Sequence, residues 1–215
     1  MNLQRVDEGD NHRYLIDGQP IIGVTTMLGA EGLSPSYEFA NMRDRMRGTA
    51  VHKIAALIAS TPWKGESAEE IVRNSRWNPE ATAPILVPRG YAFASWLLKT
   101  GFRPELIEQI VGSARHGVGG TLDFWGRIPS GLRWLVDVKS GQPAPAAHVQ
   151  TALYSYCLEE TMGPEYKTDE RVVVWLKDDG TFKMYPPRAN GGTDLVAGLS
   201  AANCFRWRQA NRALD

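Results

Sequence analysis

Between residues 121 and 139 the chain sets three charged side chains into otherwise apolar runs, Thr121-Leu122-Asp123-Phe124-Trp125 and Trp134-Leu135-Val136-Asp137-Val138-Lys139. Runs of this kind read as strands, and a strand sends successive side chains to opposite faces. Leu135, Asp137 and Lys139 then share one face, and Trp134, Val136 and Val138 the other. Asp123 likewise falls with Trp125 and Arg127, opposite Leu122, Phe124 and Ile128. A Pro129-Ser130-Gly131 turn joins the two runs, and an even hairpin register sets Asp123 across from Asp137 or Lys139. Two carboxylates so close repel one another unless a cation lies between them. A hard divalent ion takes such an oxygen-rich arrangement and keeps water in its remaining positions. A neighbouring lysine can then orient or polarise such a water for attack on a phosphodiester.

An isolated Asp-x-Lys carries little weight, because average composition produces about one in a chain of this length and most are salt-bridged pairs on half-exposed strands. Its company matters more. Glu108, in Leu106-Ile107-Glu108-Gln109-Ile110-Val111, is a charge on the face of Leu106 and Ile110. His52 has Gly48, Thr49, Ala55 and Ala56 as helical neighbours, small residues that let another element approach the imidazole. Gln150 and Tyr154 stand four apart and so share one helix face, and both hydrogen-bond readily to a phosphate, a water or a lysine. Arg43, Arg45, Arg47 and Lys53 face Asp44 alone between residues 41 and 53, a local surplus of three positive charges.

The elements that must carry these residues follow from period and punctuation. A hairpin is expected at residues 14–24 around Asp17-Gly18-Gln19-Pro20. A helix is expected from Ser34-Pro35 to about Ser60, interrupted at Gly48. Residues 61–88 read as loop with a short helix at 68–74, and a helix over 91–100 stops at Gly101. Strands follow at 106–112, 121–128 and 134–139, then a helix over 145–161. A second hairpin spans 171–176 and 181–185, and a last helix capped by Thr193 or Asp194 runs towards Arg212. This order predicts one α/β domain over residues 1–215, a mixed sheet covered by helices on both faces.

Composition narrows the class. The 215 residues are 43% apolar, and 24 Lys+Arg balance 24 Asp+Glu, so no bulk charge favours nucleic acid. No apolar run is long enough for a transmembrane helix, the first residues lack a signal-peptide pattern, and no membrane is expected as a partner. Two cysteines, Cys157 and Cys204, exclude a disulfide framework or a four-cysteine cluster, which fits a reducing cytoplasm. Cys157 reads as core. Trp63, Trp77 and Trp96 are able to stack on bases, but packing is the expectation for each. His116-Gly117-Val118-Gly119-Gly120 precedes a strand and so is no dinucleotide loop.

Taken in order, Arg47-Gly48-Thr49-Ala50-Val51-His52, Glu108, Gly120-Thr121-Leu122-Asp123, Val136-Asp137-Val138-Lys139-Ser140-Gly141 and Gln150-x-x-x-Tyr154 resemble the motifs of the PD-(D/E)XK nucleases. The closest pattern is that of the RecB-type exonucleases, including phage and mitochondrial-maintenance enzymes, and it covers residues 14–185. The resemblance implies a restriction-endonuclease-like α/β core with a central mixed sheet flanked by helices. It implies Mg²⁺ or Mn²⁺ held by Asp123, Asp137 and the backbone carbonyl of Val138, with His52 as the extra ligand of this branch and Glu108 supporting the site or a second ion. Lys139 would position the attacking water, Gln150 and Tyr154 would brace it or touch the DNA backbone, and Arg43, Arg45, Arg47 and Ser140 would lie along the DNA. Some members of the branch carry an iron–sulfur cluster on four cysteines, which this chain lacks. It also lacks a Walker motif, so unwinding would need a partner. The implied activity is a DNA exonuclease of replication, recombination or repair in a bacterial or phage-infected cell, acting with a replication or recombination protein. A structure-specific endonuclease of the same fold and a catalytically silent DNA-end-binding module are the alternatives.

Overall fold

The computed structural model describes residues 1–8, 11–34, 42–63, 67–141 and 143–211. Along the chain these form β1 (Leu3–Glu8), β2 (Asn11–Ile16), β3 (Gln19–Gly23), α1 (Val24–Ala30), α2 (Met42–Ala59), α3 (Ala68–Asn74), α4 (Val87–Thr100), β4 (Arg103–Ser113), β5 (Val118–Arg127), β6 (Arg133–Lys139), α5 (Ala146–Met162), β7 (Glu170–Leu176), β8 (Phe182–Met184), β9 (Arg188–Ala189) and α6 (Gly192–Asn211). Local chemistry sets the boundaries. Asp17 and Gly18 turn the β2–β3 hairpin with φ of 49° and 79°, the twist a two-residue hairpin needs. Ser67 caps α3 by accepting from the Glu70 amide, with Glu69 and Glu70 in the positive first turn. Gly101, at φ 66°, ends α4 in the left-handed conformation.

The strands form one mixed sheet in the order β1-β2-β3-β5-β6-β7-β8, with β4 on β5 and β9 on β7. The β3–β5 and β6–β7 pairs are parallel and the rest antiparallel. One edge of β5 is taken by β4. The other is shared: β3 pairs with Val118 and Gly119, and β6 pairs from Phe124 to Arg127. Residues 120–123 therefore lie at a fork where β3 and β6 part. Helices cover both faces, as the sequence predicts. α2, α3 and α4 pack with Phe124, Trp134, Val136 and Val138 on one side. α1, α5 and α6 pack with Leu122, Trp125 and Leu135 on the other. None of the described helices is long and apolar enough to cross a membrane.

Several expectations need correction. α2 runs unbroken through Gly48, because one interior glycine costs only about 1 kcal/mol and packing outweighs it. Pro35 lies outside the described residues, as do the side chains of Arg43 and Arg45. Val24 begins α1 directly instead of ending a strand. α6 starts at Gly192, which puts Asp194 inside its first turn. β1, α1 and β9 were not expected at all. Trp63, Trp77, Trp96 and Cys157 are buried, so packing accounts for them.

The strict alternation also fails at one place. Leu122 and Phe124, two residues apart, enter opposite cores, and so do Leu106 and Ile107 with Val111 back on the side of Leu106. The phase slips in both strands at Asp123 and Glu108. Glu108 is the cause on β4: its φ is 51°, one of two positive values at non-glycine residues among the described residues, a conformation that costs of order 1 kcal/mol or more.

Candidate metal centre

The ladder of β5 and β6 pairs Phe124 with Val136, and one further step along that register sets Asp123 against Asp137. The ladder stops there because Asp123 takes its place. Its Oδ2 accepts from the Val138 amide at 2.7 Å, and its Oδ1 lies 3.0 Å from His52 Nδ1 on α2. Asp137 turns towards the other layer with Lys139. Lys139 Nζ donates to Asp137 Oδ1 at 3.0 Å and to Gln150 Oε1 on α5 at 3.0 Å. It also lies 2.9 Å from Asp137 Oδ2, an ion-pair distance outside hydrogen-bond geometry. Gln150 Nε2 in turn donates to the Tyr154 hydroxyl at 3.2 Å. The fork in the sheet is what lets groups from both helical layers meet.

His52, Glu108 and Asp123 bring ligand atoms within 4.8 Å of one another. Asp137 stands beside this trio in the grip of Lys139. The electrostatics are strained. Burial pushes Asp137 up to about 6 against the pull of Lys139, and Asp123 pushes it further. Burial and the Asp123 charge push Glu108 up to about 7, although the residue remains open to solvent. Burial would lower His52, but the charge and hydrogen bond of Asp123 raise it to about 9. Burial would raise Asp123, yet the same histidine and Lys139 hold it below the usual carboxylate range. Carboxylates lifted in this way, by burial first and by a neighbouring carboxylate after it, are groups whose charged form a bound cation would stabilise. One imidazole with several carboxylates suits a divalent ion such as Mg²⁺ or Mn²⁺, so the donors fit the group the motifs imply.

Further residues join the site that spacing did not single out. Thr25, in the first turn of α1, hydrogen-bonds to Tyr154. On the far side of β5, the Tyr14 hydroxyl and Thr121 Oγ1 are 3.0 Å apart, and Arg5 Nη1 donates to Thr121 at 3.4 Å. Thr121 stood in the motif, whereas Arg5 lies in β1, whose two apolar residues give no strand period. Gly120 is required by contact: a Cβ there would lie 2.4 Å from Tyr154 Cε1. Ser140 follows Lys139 and faces Gly48 of α2, with Oγ 3.7 Å from where a Cβ would stand.

Comparison with solved structures finds likeness of fold to LHK-Exo in complex with dAMP, at 12% identity over 91% of this chain and 95% of that one, TM-score 0.44. The alkaline exonuclease LHK-Exo from Laribacter hongkongensis is similar at 13% identity over 90% and 93%, TM-score 0.40. No protein-family model and no curated protein matches the chain. At these scores the likeness is one of outline, and the chemistry is read from the residues.

Proposed function

We propose that the chain is a single nuclease unit that hydrolyses DNA phosphodiester bonds with a divalent metal, working inward from chain ends. The observation that carries this reading is the meeting, at one fork in the sheet, of the His52, Glu108 and Asp123 donors with a lysine held by Asp137 and Gln150. His52, Glu108, Asp123 and Asp137, with the carbonyl of Val138, are the residues that would hold Mg²⁺ or Mn²⁺. Bound there, the ion would withdraw charge from a phosphodiester oxygen and acidify a water.

The chain's own groups do the rest. Lys139 is fixed by two acceptors, which keeps its ammonium aimed at one place beside the donors. There it donates to the attacking water and stabilises the oxygen as charge develops on it. Gln150 holds Lys139, and Tyr154 holds Gln150 through a hydroxyl that burial keeps protonated. Glu108, open to solvent, stands where substrate enters. Arg43, Arg45, Arg47 and Ser140 lie on the two segments that border the site and would meet phosphates without reading bases. The exonuclease mode, as against endonuclease cutting or silent end binding, is supported by the order of the motifs.

The test is nucleotide release from end-labelled linear DNA, single- and double-stranded, with Mg²⁺, Mn²⁺ or EDTA, beside a covalently closed circle and Asp137→Asn. Metal-dependent shortening that the variant loses and the circle escapes is expected. Cutting of the circle would make it an endonuclease, and binding without turnover would make it an end-binding module.

A further inference from the structure

The hairpin of β1 and β2 sends one arginine across to the strand that carries Asp123. Arg5 and Tyr14 are cross-strand partners in that hairpin and so share a face. Both reach Thr121 of β5: Arg5 Nη1 donates to its Oγ1 at 3.4 Å, and the Tyr14 hydroxyl lies 3.0 Å from the same atom. Arg5 Nε donates to Asp7 Oδ1 at 2.8 Å, while Nη2 donates to none of the described residues. The Arg5 side chain is 32% exposed and that of Asp7 66%. So exposed an ion pair stabilises little, and it leaves the guanidinium open to a further partner.

The hydroxyl protons lead to the same conclusion. Arginine only donates, so Arg5 fills one lone pair of Thr121 Oγ1. Between Thr121 and Tyr14 one O–H donates to the other oxygen, and the second O–H then has no acceptor among the described residues. A donor left so at a largely buried site is costly, and Tyr14 is only 4% exposed. A spare hydroxyl proton beside an open guanidinium is a donor set for an anion. Arginine, threonine and tyrosine are all residues that hold phosphate oxygens.

Their position says which phosphate. Gly120 and Leu122 turn to the side of α5, so Thr121 between them turns to the other side, the one on which Asp123 meets His52 of α2. Two residues of extended strand separate Thr121 from Asp123, about 6.8 Å, comparable with the distance between consecutive phosphates on one nucleic-acid strand. A strand laid on the metal donors must pass Glu108, Asp123 and Asp137, three carboxylates of its own sign. Arg5 and the two hydroxyls offset that repulsion one phosphate along.

We propose that Arg5, Thr121 and Tyr14 receive the backbone phosphate next to the scissile one. The inference rests on the nuclease reading for the identity of the strand. It makes the β1–β2 hairpin a wall of the substrate path, with the planar guanidinium of Arg5 suited to two phosphate oxygens.

The experiment measures binding of a fluorescent single-stranded oligonucleotide to the full chain in EDTA, over a range of salt. Arg5→Met keeps the apolar stem and removes the charge. It is expected to weaken binding about tenfold and to lower the slope of log K against log salt by about 0.7. Thr121→Val removes only the hydroxyl and should weaken binding about fivefold at an unchanged slope. Arg13→Met, on the opposite face of the hairpin where Arg13 pairs with Glu8 at 2.9 Å, should change neither. A series of oligonucleotides, each with one neutral methylphosphonate linkage, supplies the specific readout. One linkage should cost the wild type affinity and cost Arg5→Met nothing further, the coupling that a shared contact requires. Should Arg5→Met fail to fold, Thr121→Val is read against the same series and should show a smaller loss at that linkage than wild type does. An unchanged slope in Arg5→Met, or losses that add at every linkage, would overturn this proposal alone. A wild type that binds neither the oligonucleotide nor its duplex would overturn the nuclease reading with it.

Discussion

Arg171 and Asp123 are both charges buried on the central sheet, and the groups around them are arranged in opposite ways. Arg171, on β7, spends its terminal nitrogens on the His148 carbonyl, Thr151 Oγ1, the Ala189 carbonyl and Asp194 Oδ2. Asp194 also accepts from Arg188. Burial alone would raise Asp194, but the hydrogen bonds of the two arginines hold it below the usual carboxylate range. The cluster joins α5, β7, β9 and α6 and sets each carboxylate oxygen of Asp194 against an arginine, although Arg171 Nε has no hydrogen-bond partner among the described residues. Around Asp123, burial first and the Asp123 charge after it lift Asp137 and Glu108 to about 6 and about 7. A charge cluster that satisfies itself holds a fold together. One that does not is arranged for something that arrives later.

The contrast is open to direct attack. The largest effect should come from Asp137→Asn, which leaves Lys139 an acceptor but removes a charge. Turnover is expected to fall about a thousandfold, roughly 4 kcal/mol of transition-state stabilisation, while the melting temperature moves little. Arg171→Met should do the reverse: about 3 kcal/mol of stability lost in denaturant unfolding, with specific activity kept by whatever fraction remains folded. If the two variants exchanged these signatures, the distinction between the clusters would be wrong.

A smaller effect separates strain from structure. Glu108→Gly relieves the left-handed backbone and should raise stability by about 1 kcal/mol, while turnover falls because a donor is gone. The smallest is a pH effect outside the site. Hydrogen bonds from Arg133 hold Asp169 at about 2. Its folded value lies below its unfolded one, so the stability this pair adds is present above pH 3.8 and is lost as pH falls towards 2. The pair is partly exposed, so the contribution should stay under about 1 kcal/mol, and Arg133→Met should remove that part of the acid unfolding curve.

Much of this molecule was legible from its residues. Asp123, Asp137 and Lys139 announced themselves because charges on apolar strands are costly, and the strands and α5 follow from period and turn residues within a few positions. The small-residue face around His52 pointed to close approach, and α2 does bring it to Asp123. What stayed hidden depends on contacts between distant segments. The alternation rule assigned Leu122 to the face of Phe124 because it assumes an unbroken pleat, and no local signal foretells that Glu108 adopts φ 51°. β1 has too few apolar residues for a period, and its register comes from pairing with β2.

By itself, then, the sequence determined which residues carry charge into apolar surroundings, in what order, and which elements hold them, since periodicity and turn chemistry are local. Only the tertiary structure decided that β3 and β6 share one edge of β5 and part beside Asp123. That fork lets an imidazole from α2 reach Asp123 while Lys139, braced by Gln150 of α5, holds the neighbouring Asp137, and such a meeting is set by long-range pairing that no stretch of chain encodes alone.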